Sequence, residues 1–281
     1  MIEVGLLNDS QVVNEEIDAI KKYGKVCTLT DFAILLGANV SKLTQLIEED
    51  KKYKLTNYLT STLFKTPSNL YVWAITDSGG LNFNKLSKRN LSIRPVIKLS
   101  SIDDKDNINF YYEDGIEYAL YAEYPSYVVD DNLFNILENN FNSNKLSITG
   151  KKYTTDSNDI SCEGAFIPRE FMEYEYNGEK FIRFVIDDNY KKDKLSNGKV
   201  YSKGDIVWIK VESINWLVDR QKDILISKRA LLSGIPFLSI DDSREINRYE
   251  LSFLKEYRHS SCVMARCSGC FVIYFEFFNT S

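Results

Sequence analysis

Residues 58–99 constrain the fold most, because they set three strand-like runs around a tight turn. The runs are Tyr58-Leu59-Thr60-Ser61-Thr62, Leu70-Tyr71-Val72-Trp73-Ala74-Ile75 and Ile93-Arg94-Pro95-Val96-Ile97-Lys98-Leu99, with Asp77-Ser78-Gly79-Gly80 between the last two. Alternating β-branched and aromatic residues bounded by Gly, Asp and Ser predict strands, not helices. Pro95 cannot donate to a ladder, so it belongs at a strand entrance with Val96 to Leu99 free to pair. Trp73, mid-strand between Val72 and Ala74, is expected in the core.

Helical patterns lie before this stretch. Residues 11–22 place Val12, Val13, Ile17 and Ile20 on one side after the polar Asn8-Asp9-Ser10, and Gly24 follows. Thr30 and Asp31 cap Phe32 to Leu36, which ends at Gly37. Residues 42–52, with Leu43, Leu46 and Ile47 on one face, are expected as a third helix. The polar run at 100–107 reads as a domain boundary.

The second half is expected to be mostly antiparallel β. Strands are predicted at residues 116–124, 199–201, 206–211, 214–218 and 224–227, and a helix at 131–141 carries Leu133, Phe134, Ile136, Leu137 and Phe141 behind Asp130. The clearest local signal is Tyr174-Glu175-Tyr176-Asn177-Gly178-Glu179-Lys180-Phe181-Ile182-Arg183-Phe184. Asn-Gly supplies the two positive-φ residues of a type I′ turn, so a hairpin is predicted there. A helix is expected after residue 243 and an apolar strand at 270–278, which must be buried or in contact with another chain.

The pattern of residues 58–99 resembles the second half of the C-type-lectin-like fold. It is similar to a domain family of unknown function in low-GC bacterial and phage proteins, related to formylglycine-generating enzymes and to the variable proteins of diversity-generating retroelements. The likeness rests on the Arg94-Pro95 strand, on Thr30-Asp31-Phe32-Ala33-Ile34 ahead of it, and downstream on Glu123-Tyr124-Pro125, on Tyr174 to Gly178 and on Ile214-Asn215-Trp216-Leu217-Val218. It spans roughly residues 1–240. The resemblance implies an α+β chain with a C-type-lectin-like domain at 1–102 and a related, mostly antiparallel β-rich domain at 108–240; the helix and apolar strand expected at 241–281 lie outside it. It also implies that ligand contacts lie on the side of the fold displaying Tyr71, Trp73, Asp77, Asn82, Asn84, Lys88, Arg89 and Asn90. Cysteine chemistry of the formylglycine-generating kind does not carry over, because the strands of residues 58–99 hold no matching cysteine pair.

A formal charge of −5 argues against a surface that binds nucleic acid directly, since phosphates call for concentrated Lys and Arg. The N-terminus lacks a basic stretch followed by a long apolar run, and no apolar stretch approaches membrane-spanning length. Five cysteines, an odd number unevenly spaced, read as reduced thiols in the cytoplasm.

The single histidine heads His259-x2-Cys262-x4-Cys267-x2-Cys270, four zinc-type ligands crowded into twelve residues. Small buried cysteines leading into a strand are the competing reading, so no cofactor is assigned and zinc stays open. A Cys–His nucleophile pair three residues apart is unlike the distant pairs such chemistry uses. Acidic doublets such as Asp187-Asp188 lack the alternate oxygen ligands of a calcium loop, and no Gly-rich phosphate cradle precedes a helix. Recognition remains: aromatics make up 13% of the chain, and tyrosine gives stiff amphipathic contact area. The chain is therefore expected to be a non-enzymatic phage or prophage protein that binds another protein. The rival expectation is an anti-CRISPR-like inhibitor of a defence nuclease, whose acidic surface imitates nucleic acid.

Overall fold

The computed structural model describes residues 2–48, 51–66, 70–85, 91–100, 102, 108–154 and 170–233. The chain begins with β1 (Ile2–Gly5), α1 (Asp9–Val13), α2 (Asp18–Tyr23), β2 (Cys27–Leu29), α3 (Asp31–Leu35), β3 (Val40–Glu48), β4 (Lys51–Thr56), β5 (Tyr58–Lys65), β6 (Leu70–Ile75), β7 (Leu81–Lys85) and β8 (Val96–Leu99). It continues with β9 (Asn109–Glu113), β10 (Ile116–Val128), α4 (Asp131–Asn142), β11 (Ser147–Thr154), β12 (Glu170–Tyr176), β13 (Glu179–Val185), β14 (Ile206–Asp219), β15 (Ile224–Ser227) and β16 (Arg229–Ala230).

These strands form a mixed α+β fold that is mostly antiparallel. A nine-stranded sheet runs β1-β8-β15-β14-β13-β12-β11, with β10 pairing both β14 and β9. A four-stranded sheet runs β16-β2-β4-β3 and a three-stranded sheet runs β5-β6-β7. Among the described strands only the short β16–β2 ladder is parallel. Among the described residues no helix is long and apolar enough to cross a membrane.

Several local signals act as the sequence predicts. Asn177 and Gly178 take φ of 51° and 78°, closing the β12–β13 hairpin with Tyr176 opposite Glu179. The Thr30 hydroxyl accepts from the Ala33 amide at 3.2 Å to start α3, which stops at Gly37 with φ of 97°. Asp130 caps α4 by accepting from the Leu133 amide at 2.9 Å, and Leu133, Phe134 and Phe141 then pack toward Trp208 and Phe181.

Others do not. Where a helix is expected at 42–52, the described residues belong to the antiparallel strands β3 and β4, with Leu46 opposite Tyr53 and Gln45 opposite Lys54. Apolar residues at 43, 46 and 47 fit a helical face, but β2 offers β4 a ladder through Cys27 and Thr28, and that pairing overrides the local pattern. The helix expected at 11–22 is broken into α1 and α2 at Glu15, whose φ is 53°. A capping box between Asn8 and Gln11 starts the first piece. The second starts where the distant Asp219 carboxylate accepts the Asp18 amide at 2.9 Å. Residues 199–201 form no strand; Leu195 instead donates to the Lys199 carbonyl at 2.9 Å in a loop. The runs 206–211 and 214–218 are one continuous strand, β14.

The polar run at 100–107 is not a boundary between sheets. Ile97 and Val96 of β8 pair with Leu225 and Ile226 of β15, so strands from both sides of it share the large sheet. Phe32 of α3 meets Phe171 and Phe184 edge-on at 5.8 and 6.2 Å, and one core cluster runs from Val12 and Ile20 through Leu59 and Val72 to Ile182 and Leu217. The buried Asp31 carboxylate clamps the same joint. It accepts from the Val128 amide at 3.0 Å and from the Ser196 amide at 2.9 Å.

Candidate aromatic recognition face

The small β5-β6-β7 sheet has two unlike faces, and strand alternation assigns them. Val72 and Ala74 of β6 and Leu59 of β5 point inward and are fully buried. The residues between them point outward. Phe64 stands opposite Tyr71, Tyr71 opposite Lys85, and Trp73 opposite Phe83 in the two ladders. Their rings touch in a continuous set: Phe64 to Trp73 at 5.4 Å, Phe64 to Phe83 at 5.8 Å, Tyr71 to Phe83 at 5.2 Å and Trp73 to Phe83 at 5.9 Å. Although packed together, they are not covered: Phe83 is 49% exposed, Leu81 beside it 37% and Phe64 36%.

The backbone under this face is fixed on one side and finished on the other. The Leu59 amide donates to the Ser92 carbonyl and the Ser61 amide to the Leu7 carbonyl, both at 2.9 Å, while the Thr62 hydroxyl donates to Asp9 at 2.6 Å. Among the described residues β7 pairs only with β6. There the Asn82 side chain takes the Phe83 amide at 2.9 Å, satisfying a donor that an incoming strand would otherwise use. The β6–β7 turn is held by the Thr76 hydroxyl, which accepts from the Gly80 amide at 3.0 Å, and by Asn57, which accepts from the Asp77 amide at 2.8 Å.

Behind the sheet lies Arg94, 1% exposed. Its Nε donates to the Ser227 carbonyl at 2.9 Å and its Nη1 to the Tyr58 hydroxyl at 3.3 Å, and the guanidinium lies 5.3 Å from the Tyr58 ring centre and 6.0 Å from that of Tyr23. Tyr58 opens β5 and Ser227 closes β15, so this one side chain ties the small sheet to the large one. Burial foremost pushes the Tyr58 phenol up to about 12, which keeps it a neutral donor to the Lys25 carbonyl at 2.8 Å.

The residues expected to contact a ligand therefore divide. Tyr71 lies on the aromatic face, Asn82 is exposed at the edge of β7, and Asp77 is half-buried in the turn beyond it. Asn84 is not a surface residue: it is 7% exposed and opposite Val72, on the inward parity of β7. Trp73, expected in the core, stands on the outer face because its neighbours Val72 and Ala74 take the inner one. Phe64 and Phe83 are absent from the expected set, although their parity relative to Tyr71 and Trp73 could have found them. Lys88, Arg89 and Asn90 lie outside the described residues, as do the helix and strand expected after residue 243.

Two other polar sites bear on chemistry. The buried Glu173 accepts from the Tyr153 hydroxyl at 2.5 Å and the Thr149 hydroxyl at 2.8 Å, with Lys151 Nζ 3.8 Å away. Burial, then the bond to Glu173, raises the Tyr153 phenol far above its ordinary value, so it is locked as a donor and is not poised to exchange a proton. Cys27 is buried, and burial raises its thiol, the opposite of what a nucleophile needs. His259, Cys262, Cys267 and Cys270 lie outside the described residues. Among the described residues no group of three or more His, Cys, Asp or Glu is placed to hold a metal ion.

No family model, no curated protein and no solved structure matches the chain.

Proposed function

We propose that the chain works without catalysis, by binding a protein partner through the outer face of β5-β6-β7. The observation that supports this is the exposure of Phe64 and Phe83 within a four-ring cluster on a sheet whose other face already supplies the core. A contiguous apolar patch on a surface marks a contact with another molecule. Aromatic anchors suit protein partners, since they bury large areas with few rotamers to freeze. The C-type-lectin-like reading of residues 1–102, the phage or prophage setting and the cytoplasmic location belong to this proposal, resting on the resemblance of residues 58–99. The nucleic-acid mimic gains less support, because it needs carboxylates left free to meet a basic channel. Here Glu117 pairs with Arg220, Glu123 with Lys180, Glu138 with Arg183 and Glu179 with Lys210.

The test compares the wild-type chain with the Phe64→Ser/Phe83→Ser double variant as baits in a lysate of the organism that encodes the chain. A partner captured by the wild type and lost from a double variant of near-unchanged melting temperature supports the reading. Equal capture by both removes this face from the function.

A further inference from the structure

We infer that the partner surface received by this face is an acidic peptide segment carrying apolar side chains, an inference that rests on the aromatic face being the contact. Charge is segregated along the sequence. Residues 51–102 hold nine lysines and arginines but a single acidic residue, Asp77, out of 35 basic and 40 acidic residues in the whole chain. The remainder is left with 26 basic and 39 acidic residues, so a stretch of net +8 sits in a chain of net −5. That stretch contains the whole small sheet, from β5 to β7. Of its nine cations Arg94 is buried, and Lys85, on β7, is exposed; the sign of the whole stretch sets the local field that a partner meets.

The fold sets one of these charges, Lys85, beside the rings. Lys85 is exposed and lies in the same cross-strand row as Tyr71 and Phe64, at the end of the sheet away from the β6–β7 turn. Asp77 lies in that turn, at the opposite end. The face thus runs from an apolar centre at Trp73, Phe83 and Leu81 to a cationic end at Lys85. A partner that buries leucine or phenylalanine against the rings and offers Asp or Glu toward Lys85 satisfies both regions, and its approach is steered by the local field.

Basic residues beside aromatics also suit single-stranded nucleic acid, which stacks its bases on open ring faces. Here Phe64 meets Trp73 and Phe83 at 48° and 42°, and Trp73 meets Phe83 at 88°. Rings set at such angles present edges and ridges in place of parallel planes, a relief that aliphatic and aromatic side chains fill better than bases do. Because Asn82 already occupies the Phe83 amide, the partner docks by side chains on the face and not as an added strand at that position.

The experiment selects binders to the full chain from a random library of peptides about 12 residues long, a span that lies across a small sheet. The expected binders combine Asp or Glu with Leu, Phe or Trp. Their affinity falls at least ~10-fold in Phe83→Ser and in Lys85→Glu, and falls again when salt is raised from about 0.05 to about 0.5 M. Neutral or basic binders that still depend on Phe83 overturn the acidic chemistry while leaving the face as a contact. Selection with no dependence on Phe83 overturns both. An oligothymidylate that binds the wild type and not Phe83→Ser overturns the peptide and puts nucleic acid in its place.

Discussion

Replacing Arg94 tests whether its charge or its volume holds the small sheet in place. Among the described residues no carboxylate pairs with it; the ionisable groups around it are Cys27, Tyr58 and Tyr23, and its Nη2 is buried without a hydrogen-bond partner. Arg94→Met keeps most of the volume. It loses the charged hydrogen bond to Ser227, about 1.5–3 kcal/mol, the longer one to the Tyr58 hydroxyl, about 1 kcal/mol, and ring contacts worth about 1 kcal/mol. Against this it removes the desolvation cost of an unpaired buried ion, which is several kcal/mol. The variant should therefore lie within about 2 kcal/mol of the wild type. Arg94→Ala loses the same hydrogen bonds and opens a cavity between β5 and β15 as well. It should be about 2–5 kcal/mol less stable than Arg94→Met, the usual range for truncating a buried methionine. Urea unfolding of the three proteins measures this, read as midpoint shifts at a common slope. If Arg94→Met proves as unstable as Arg94→Ala, the charge itself is what the site requires and the volume argument is wrong.

Gly178→Val should destabilise the β12–β13 hairpin by at least ~1 kcal/mol, since a β-branched residue is forced to positive φ. A Cβ there meets nothing within 4 Å, so an unchanged melting temperature would leave backbone strain with no role. Glu138 accepts from Arg183 Nη2 at 2.8 Å and from Trp208 Nε1 at 2.8 Å, and the Arg183 bonds foremost hold its carboxyl below the usual range. Because the folded pKa lies under the unfolded value of 4.5, this stabilisation is present above that value and is lost as pH falls through the folded one. Stability should then drop more steeply between about pH 5 and pH 3 in the wild type than in Glu138→Gln, and parallel curves would refute the assignment.

What could be read from the sequence was short in range. Asn177-Gly178, the Thr30 cap and the Asp130 cap each specify their own turn or helix start within four residues, and each does so here. What could not be read depends on partners far along the chain. Residues 42–48 and 51–52 become strands because β2 and β4 pair, and α2 begins where a carboxylate some two hundred positions away accepts its first amide. Strands on either side of 100–107 share a sheet for the same reason, since polarity in a connection says nothing about whether its flanks pair. At the candidate site the residue types are informative, and strand parity supplies what they leave out. Tyr71 and Trp73 alternate with Val72 and Ala74, which fixes them on one face together, and Phe83 two residues from Leu81 and from Lys85 repeats that face on β7. Polarity alone puts Asn84 outside, and alternation puts it inside.

The same parity argument separates the rings that the fold needs from those that it does not. Phe32, Phe171 and Phe184 each lose nearly all their surface to the joint between α3 and the large sheet, so stability accounts for them. Phe64 and Phe83 keep a third to a half of theirs, and the small sheet is held without them, by Arg94, by the Leu7 and Ser92 carbonyls and by its buried inner face. An exposed ring returns only a fraction of its transfer free energy on folding, at about 25 cal/mol per Å² of apolar area removed from water. The area left open is recovered only when something covers it. A platform fixed through its back and its β5 edge, with the Phe83 amide on β7 already satisfied, can be covered with little rearrangement of its own backbone, which keeps the entropic cost of binding low.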